Sequence, residues 1–348
     1  MNARLRVATV GSGYFSQFHY NAWQRLAHSD AVELIAICSL DRAAAQTFAD
    51  SYGIDSIYED FETMLDEAEI DLVDIVTPPD THDALIRAAV TRDIAVICQK
   101  PFTRNLDEAT DLVEYIKRCE GRVFVHENFR FQPWYGKLKS LATEGTIGTP
   151  YQVSFRLRPG DGQGTDAYLD RQPYFRHMSR FLVHETAIHF IDSFRYLFGE
   201  VTSVFARIDR LNPAISGEDR ALIVFEFDNG MQGLFDGNRL VDHRADNQRL
   251  TMGEMTIEGS GGCLALDGNG LISLRRCGSG EWNEVAYDWN DTDFGGDCVY
   301  LTNRHIVEHF RDGTPAANSA EEYLVNLRIE EAIYESAHSG RRIDLDAG

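Results

Sequence analysis

Two short stretches of the chain combine residue types that can move a proton. Ile97-Cys98-Gln99-Lys100-Pro101 sets a lysine behind an apolar run and before a proline that fixes the turn. Most lysines are solvated surface groups, and position is what separates Lys100 from them. At the carboxyl edge of a parallel sheet it can hydrogen-bond a substrate hydroxyl and stabilise the alkoxide that develops as a hydride leaves. Val183-His184-Glu185-Thr186-Ala187-Ile188-His189-Phe190-Ile191-Asp192 opens a predicted helix, with Glu185 and His189 four apart on one face. A carboxylate one turn from an imidazole can orient it and tune it as a general base. His184, Glu185 and His189 also stand near metal-ligand spacing, but no third ligand cluster accompanies them and no metal is expected.

Hydride chemistry needs an acceptor, and the first residues of the chain offer a place for one. Val7-Ala8-Thr9-Val10-Gly11-Ser12-Gly13-Tyr14-Phe15-Ser16 puts two glycines between a strand and an amphipathic helix. Such a turn lets backbone N–H groups approach a pyrophosphate at the positive end of the helix. Ser16 stands where a third glycine would allow close helix–strand packing, which weakens the fingerprint without breaking it. After the second strand the chain reads Cys38-Ser39-Leu40-Asp41-Arg42. Ser39 and Arg42 would suit the 2′-phosphate of NADP and Asp41 the ribose of NAD, so that choice stays open. Val76-Thr77-Pro78-Pro79-Asp80-Thr81-His82 follows a further buried strand, where Thr77, Pro78 and His82 are cofactor-side candidates; the alternative is a helix cap with a surface histidine.

The elements that position these residues follow from periodicity. Strand candidates Arg6–Val10, Val32–Cys38, Leu72–Val76, Ile94–Cys98 and Arg122–His126 alternate with helix candidates at Phe15–Leu26, Arg42–Tyr52, Thr81–Thr91 and Leu106–Cys119. This is the mark of βαβ units in a doubly wound parallel sheet. After Phe129 come strand candidates Tyr151–Arg158, Thr202–Ile208, Ala221–Phe227, Gln232–Arg239, Leu250–Glu258 and Leu271–Arg275, punctuated by turns such as Asp228-Asn229-Gly230. Helical stretches Cys298–Arg311 and Ala320–His338 follow, then a short strand candidate, Arg342–Leu345. Two domains are expected, 1–128 of Rossmann type and 129–348 of α+β type. Pro159–Arg180 has no clear period and reads equally as a lid or as a surface loop.

The composition limits the partners. Thirty-three Lys and Arg against 55 Asp and Glu give a net charge of −22, which opposes nucleic acid and anionic membranes. No apolar run is long enough to span a bilayer, and Met1-Asn2-Ala3-Arg4 does not have the form of an export signal. Six scattered cysteines without a C-x-x-C pair fit a reducing cytoplasm.

Taken together, the glycine turn, Thr77-Pro78 with His82, Lys100-Pro101 and the Glu185–Asp192 stretch resemble the glucose–fructose oxidoreductase / inositol dehydrogenase (Gfo/Idh/MocA) family over almost the whole chain. The resemblance implies an NAD(P)-dependent dehydrogenase acting on a sugar or polyol, with catalytic Lys100 and His189 and with Glu185 where the family has Asp. It also implies a large, open, mainly antiparallel second sheet, whose face commonly builds a homodimer or homotetramer. Gln99 replaces the family's Glu beside the lysine, and Ala187 replaces a Gly. Gly11, Gly13, Tyr14, Phe15, Ser39, Asp41, Arg42, Thr77, Pro78, His82, Gln99, Lys100 and Asn128 are the cofactor candidates. Lys100, Arg130, Tyr174, Glu185 and His189 are the substrate candidates. His126–Trp134 and Gln172–Phe175 are similar to strings in D-apiose dehydrogenase-like enzymes, and their aromatic and amide groups suit a polyhydroxylated ligand. Two other functions are carried forward: a non-catalytic NAD(P)-binding sensor, against which Lys100 and His189 argue, and a glycosidase using tightly held NAD.

Overall fold

Short runs rich in Val, Ile and Leu, buried on both faces, form the first sheet of the computed structural model, which describes residues 4–29, 31–170 and 172–345. Met1 to Ala3 of the expected lead-in lie outside the described residues. In chain order the elements are β1 (Leu5–Val10), α1 (Ser16–His28), β2 (Val32–Cys38), α2 (Arg42–Tyr52), β3 (Ser56–Tyr58), α3 (Phe61–Glu67), β4 (Leu72–Ile75), α4 (His82–Val90), β5 (Ala95–Gln99), α5 (Leu106–Arg118) and β6 (Val123–His126). The strands pair in parallel in the order β3-β2-β1-β4-β5-β6. All their carboxyl ends therefore lie along one edge, the edge at which open α/β sheets bind ligands. Strand β3 and helix α3 go beyond the sequence expectation; a three-residue strand is too short to show a period.

The chain continues with α6 (Pro133–Thr143), β7 (Pro150–Leu157), α7 (Ile188–Phe198), β8 (Val201–Asp209), β9 (Arg220–Phe227), β10 (Gln232–Asn238), β11 (Gly253–Gly259), β12 (Gly262–Leu266), β13 (Ile272–Arg276) and β14 (Asn283–Val285), whose strands form the second sheet. The chain closes with α8 (Phe294–Asp312), α9 (Ala320–Ser339) and β15 (Ile343–Asp344). The nine strands run in the order β14-β13-β12-β11-β7-β10-β9-β8-β15, antiparallel except where β7 lies parallel to β10. Burial alternates along β9, as expected of a sheet with one packed face. Phe190, Phe194 and Phe198 of α7 meet Phe155, Phe225, Phe227 and Phe235 of that face. Each such buried ring contributes roughly 1.5–3 kcal/mol through apolar burial.

The expected split into 1–128 and 129–348 needs one correction. Asp297–Leu327 groups with Met1–Asn128, whereas Arg328–Gly348 groups with Phe129–Gly296. Ile306 and Val307 of α8 complete the core formed by Val7, Trp23, Leu72 and Ile97. Arg25 and the buried Asp297 form a two-pronged ion pair at 2.5 and 2.7 Å. The helical period of α8 is plain in the sequence, but which sheet its apolar stripe covers is not.

Candidate active site

The glycine turn begins where β1 ends. Gly11 donates its N–H to Cys38 O at 2.9 Å and has a φ of +111°. A Cβ there would lie 2.3 Å from Val76 O, so the protein's own backbone requires glycine. At Gly13 a Cβ would meet nothing within 4 Å, which leaves open space above the turn beside the start of α1. Ser16 takes the third glycine's seat fully buried, and its Oγ has no hydrogen-bond partner among the described residues. This open cradle at a helix N-terminus fits the pyrophosphate of a dinucleotide. Tyr14 is half exposed beside it, with its ring edge-on to Phe18, and Phe15 is half-buried.

At the end of β2, Ser39 and Ser12 join their hydroxyls at 2.8 Å. Asp41 is the N-cap of α2, its carboxylate accepting the Ala44 N–H at 3.0 Å. Arg42 points along the surface into an ion pair with Glu59 at 2.9 Å. Three of the cofactor candidates thus have local partners.

His82, the expected cofactor-side histidine, is fully buried, with Nε2 2.8 Å from Thr77 O and Nδ1 3.1 Å from Phe102 O. Burial pushes its pKa down despite these two carbonyls. Its role is to tie the Thr77-Pro78 loop after β4 to the Lys100-Pro101-Phe102 loop after β5. Thr77 and Thr81 share a hydroxyl contact at 2.7 Å, and Pro78 is exposed at the rim. Asn128 is buried.

The Gln99 amide faces inward. Its Oε1 accepts the Lys100 N–H at 2.7 Å and its Nε2 lies 3.0 Å from His19 Nε2. His19 Nδ1 is 2.8 Å from Asp74 Oδ2, which also accepts the Trp23 indole N–H at 2.6 Å. Asp74 is fully buried in the middle of β4. Desolvation opposes its charge, but His19 and Trp23 outweigh that and hold its pKa below the ordinary carboxylate value. His126 lies against His19 with ring centroids 4.2 Å apart, and burial pushes it down to about 3. Asp74 was legible as a question, since an acid amid Leu72-Val73 and Ile75 needs a buried partner. The partner, 55 residues away, was not.

In the second unit the stretch carrying Glu185 and His189 is not one α-helix. Leu182–Ala187 is a π-helical turn, and α7 begins only at Ile188. Glu218 holds the start of that turn, its Oε1 accepting the N–H groups of Phe181 and Val183 at 3.0 and 3.1 Å and the Tyr334 hydroxyl at 2.7 Å. His189 is buried with its ring stacked on Phe129, 3.8 Å between centroids and 5° from parallel. Glu185 accepts the Thr186 hydroxyl at 2.6 Å, and Thr186 Oγ1 accepts Arg239 Nη1 at 2.7 Å. Arg239 is fully buried, two-pronged on Asp161 at 3.1 and 2.6 Å and 3.7 Å from the Glu185 carboxylate. Burial works against its charge, yet Asp161 and its other neighbours raise its pKa.

Arg239 also organises the Pro159–Arg180 segment. Phe181, Tyr168 and Phe175 ring its guanidinium at 4.7, 5.3 and 5.5 Å. With Ala167 and Ile215 they form a small core of their own, so the segment is a packed structure around one cation. Arg130 donates through Nε, at 2.6 Å, and Nη2 to the fully buried Asp192, which fixes the fork expected to reach substrate. Tyr174 stands half exposed with its hydroxyl 3.1 Å from the Gln172 amide. Arg239, Asp161 and Glu218 carried no local signal, since each acts on residues at least 35 positions away. Among the described residues no group of three or more His, Cys, Asp or Glu could hold a metal ion.

Known proteins resemble the chain in sequence and in fold. Residues 5–127 match the model of an oxidoreductase family with an NAD-binding Rossmann fold, and residues 135–265 match the GFO/IDH/MocA C-terminal domain. The chain is 31% identical to a D-apiose dehydrogenase of Paraburkholderia graminis, over 98% of this chain and 90% of that protein. It is 26% identical to a myo-inositol 2-dehydrogenase of Thermotoga maritima, over 98% and 99%. A crystal structure of an oxidoreductase from Agrobacterium radiobacter in complex with NAD+, L-tartaric acid and magnesium superposes with a TM-score of 0.88 at 26% identity, covering 98% of each chain.

Proposed function

The chain belongs to the Gfo/Idh/MocA family of NAD-binding oxidoreductases, and on that premise we propose that it oxidises a secondary hydroxyl of a sugar or polyol, or reduces the corresponding carbonyl. The observation that carries this reading is within the first unit. The carboxyl edge of the parallel sheet presents an open glycine turn after β1 and a lysine after β5, two strands away. When bound, the nicotinamide accepts or gives the hydride. In this proposal Lys100 polarises the reacting oxygen and His189 takes the hydroxyl proton. Glu185, held by Thr186 and Arg239, sets the charge near that imidazole. Stacking on Phe129 limits the His189 ring to one plane.

NAD is the proposed form of the cofactor. Asp41, whose backbone N–H donates to Ser39 Oγ at 3.2 Å, places negative charge beside Ser39, and Glu59 already pairs with Arg42, the cation that a 2′-phosphate would need. The oxidoreductase solved with NAD+ and L-tartaric acid, like the apiose and inositol dehydrogenases, supports a small polyhydroxylated substrate. The second unit is proposed to bind it. The same proposal includes association of copies through the outward sheet face, where Tyr151, Phe205 and Leu222 are exposed. It also includes a cytoplasmic setting, in keeping with six free cysteines; no described helix is long and apolar enough to cross a membrane.

The test is pre-steady-state hydride transfer by Lys100→Ala, with a substrate found by screening sugars, polyols and sugar acids against NAD and NADP. The variant should bind NAD normally and transfer hydride about 100-fold or more slowly. A rate near that of the native protein sinks the assignment of Lys100.

A further inference from the structure

Three groups beneath Lys100 have hydrogen-bonding roles that can be deduced in order. The Lys100 backbone N–H can only donate, so the Gln99 atom 2.7 Å from it must be the amide oxygen. The other end of that amide is then an NH2, and it faces His19 Nε2 at 3.0 Å. An NH2 can only donate, so His19 Nε2 must carry a lone pair. The ring proton is therefore on Nδ1, where it meets Asp74 Oδ2 at 2.8 Å. The chain runs in one direction, from His19 Nδ1–H to Asp74, from Gln99 NH2 to His19, and from Lys100 N–H to Gln99. All three side chains are buried: Asp74 and His19 fully, Gln99 with 9% of its surface exposed. Trp23 adds a second donor to Asp74 Oδ2, while Oδ1 has no partner among the described residues. His126, on β6, lies over His19 and is itself bonded to Asn303 of α8 at 2.9 Å.

We propose that Asp74, His19 and Gln99 are positioning residues that set the backbone of Lys100 through one directed hydrogen-bond chain, in which Gln99 holds His19 as the neutral Nδ1–H tautomer. The part that concerns Lys100's chemistry rests on the reading above; the chain itself does not. Glutamine at position 99 decides the protonation of a residue 80 positions earlier. A glutamate there would still accept the Lys100 N–H, but its other oxygen could pair with His19 only if Nε2 carried a proton. His19 would then be an imidazolium between two carboxylates. The buried net charge is −1 either way: one aspartate with neutral glutamine and histidine, or two carboxylates with one imidazolium.

The experiment uses the full-length protein with ¹⁵N-labelled histidine. At neutral pH the His19 ring should show a protonated Nδ1 and an unprotonated Nε2, and Gln99→Glu should turn both nitrogens into proton-bearing ones. An Nε2–H tautomer in the native protein, or an unchanged ring in Gln99→Glu, overturns the proposal. The kinetic arm compares Gln99→Leu, which removes both polar atoms, with Gln99→Glu. The leucine variant should lose about 10- to 100-fold in kcat with KM for NAD within about threefold, because a small displacement of a reacting group costs rate before it costs binding. The glutamate variant should recover about tenfold of that loss. Equal rates for leucine and native proteins overturn the positioning role. Should Gln99→Leu fold poorly, the spectroscopic arm and the glutamate variant still decide. If Lys100→Ala remains fast while the His19 signals behave as stated, the assignment of Lys100 falls and the hydrogen-bonded chain stands.

Discussion

Gly11 and Gly13 lie two residues apart and are held to glycine for different reasons. Val76 O leaves no room for a side chain on Gly11, whose φ is already positive; the space above Gly13 is open and matters only to a ligand. Gly11→Ala should therefore lower the stability of the cofactor-free protein, by about 2 kcal/mol or more. Gly13→Ala should leave that stability within about 0.5 kcal/mol and weaken NAD binding about tenfold or more. Urea unfolding without cofactor and calorimetric titration with NAD separate the two. Loss of stability in both variants without loss of NAD binding would remove the dinucleotide role from this turn. The same comparison shows what could be read in advance. The motif alone marks both glycines, but the clash that makes one of them structural lies across the sheet, in a residue 65 positions later.

The π-turn at Leu182–Ala187 depends on one carboxylate. Glu218 satisfies two backbone N–H groups and a tyrosine hydroxyl in a buried place, so Glu218→Leu strands three donors at once. The expected cost is of order 3 kcal/mol in unfolding free energy, with Glu218→Gln losing less because its amide oxygen can still accept. A leucine variant as stable as the native protein in urea would show that the turn is held by packing instead. The apolar period of Ile188–Phe198 made the helix legible, and the β-branched runs made most strands legible. The π-turn was not, because a one-residue change in winding leaves Glu185 and His189 at an ordinary helical spacing while altering the geometry between them. The loop around Arg239 escaped for a related reason: a core of five aromatic and aliphatic side chains scattered between positions 167 and 215 has no period.

At the scale of the molecule the discontinuous first unit is the least legible feature and the most consequential for experiment. A fragment of residues 1–128, the boundary that composition and rhythm suggest, lacks Ile306 and Val307 from its core and Asp297 from its ion pair with Arg25. It should show no cooperative thermal transition and should bind a hydrophobic dye, whereas the full chain should melt cooperatively. A fragment that melts sharply and binds NAD like the full chain would make α8 dispensable. The arrangement also orders events on the ribosome. The cofactor unit has all its strands once residue 128 is made but cannot close its core until Val307 of α8 has followed, 307 − 128 = 179 residues later. At about 5–20 residues per second that is an interval of roughly 10–40 s. Throughout it the apolar patch awaiting α8 stands open on the nascent chain, and chaperone demand during synthesis should fall on the half of the protein that is translated first.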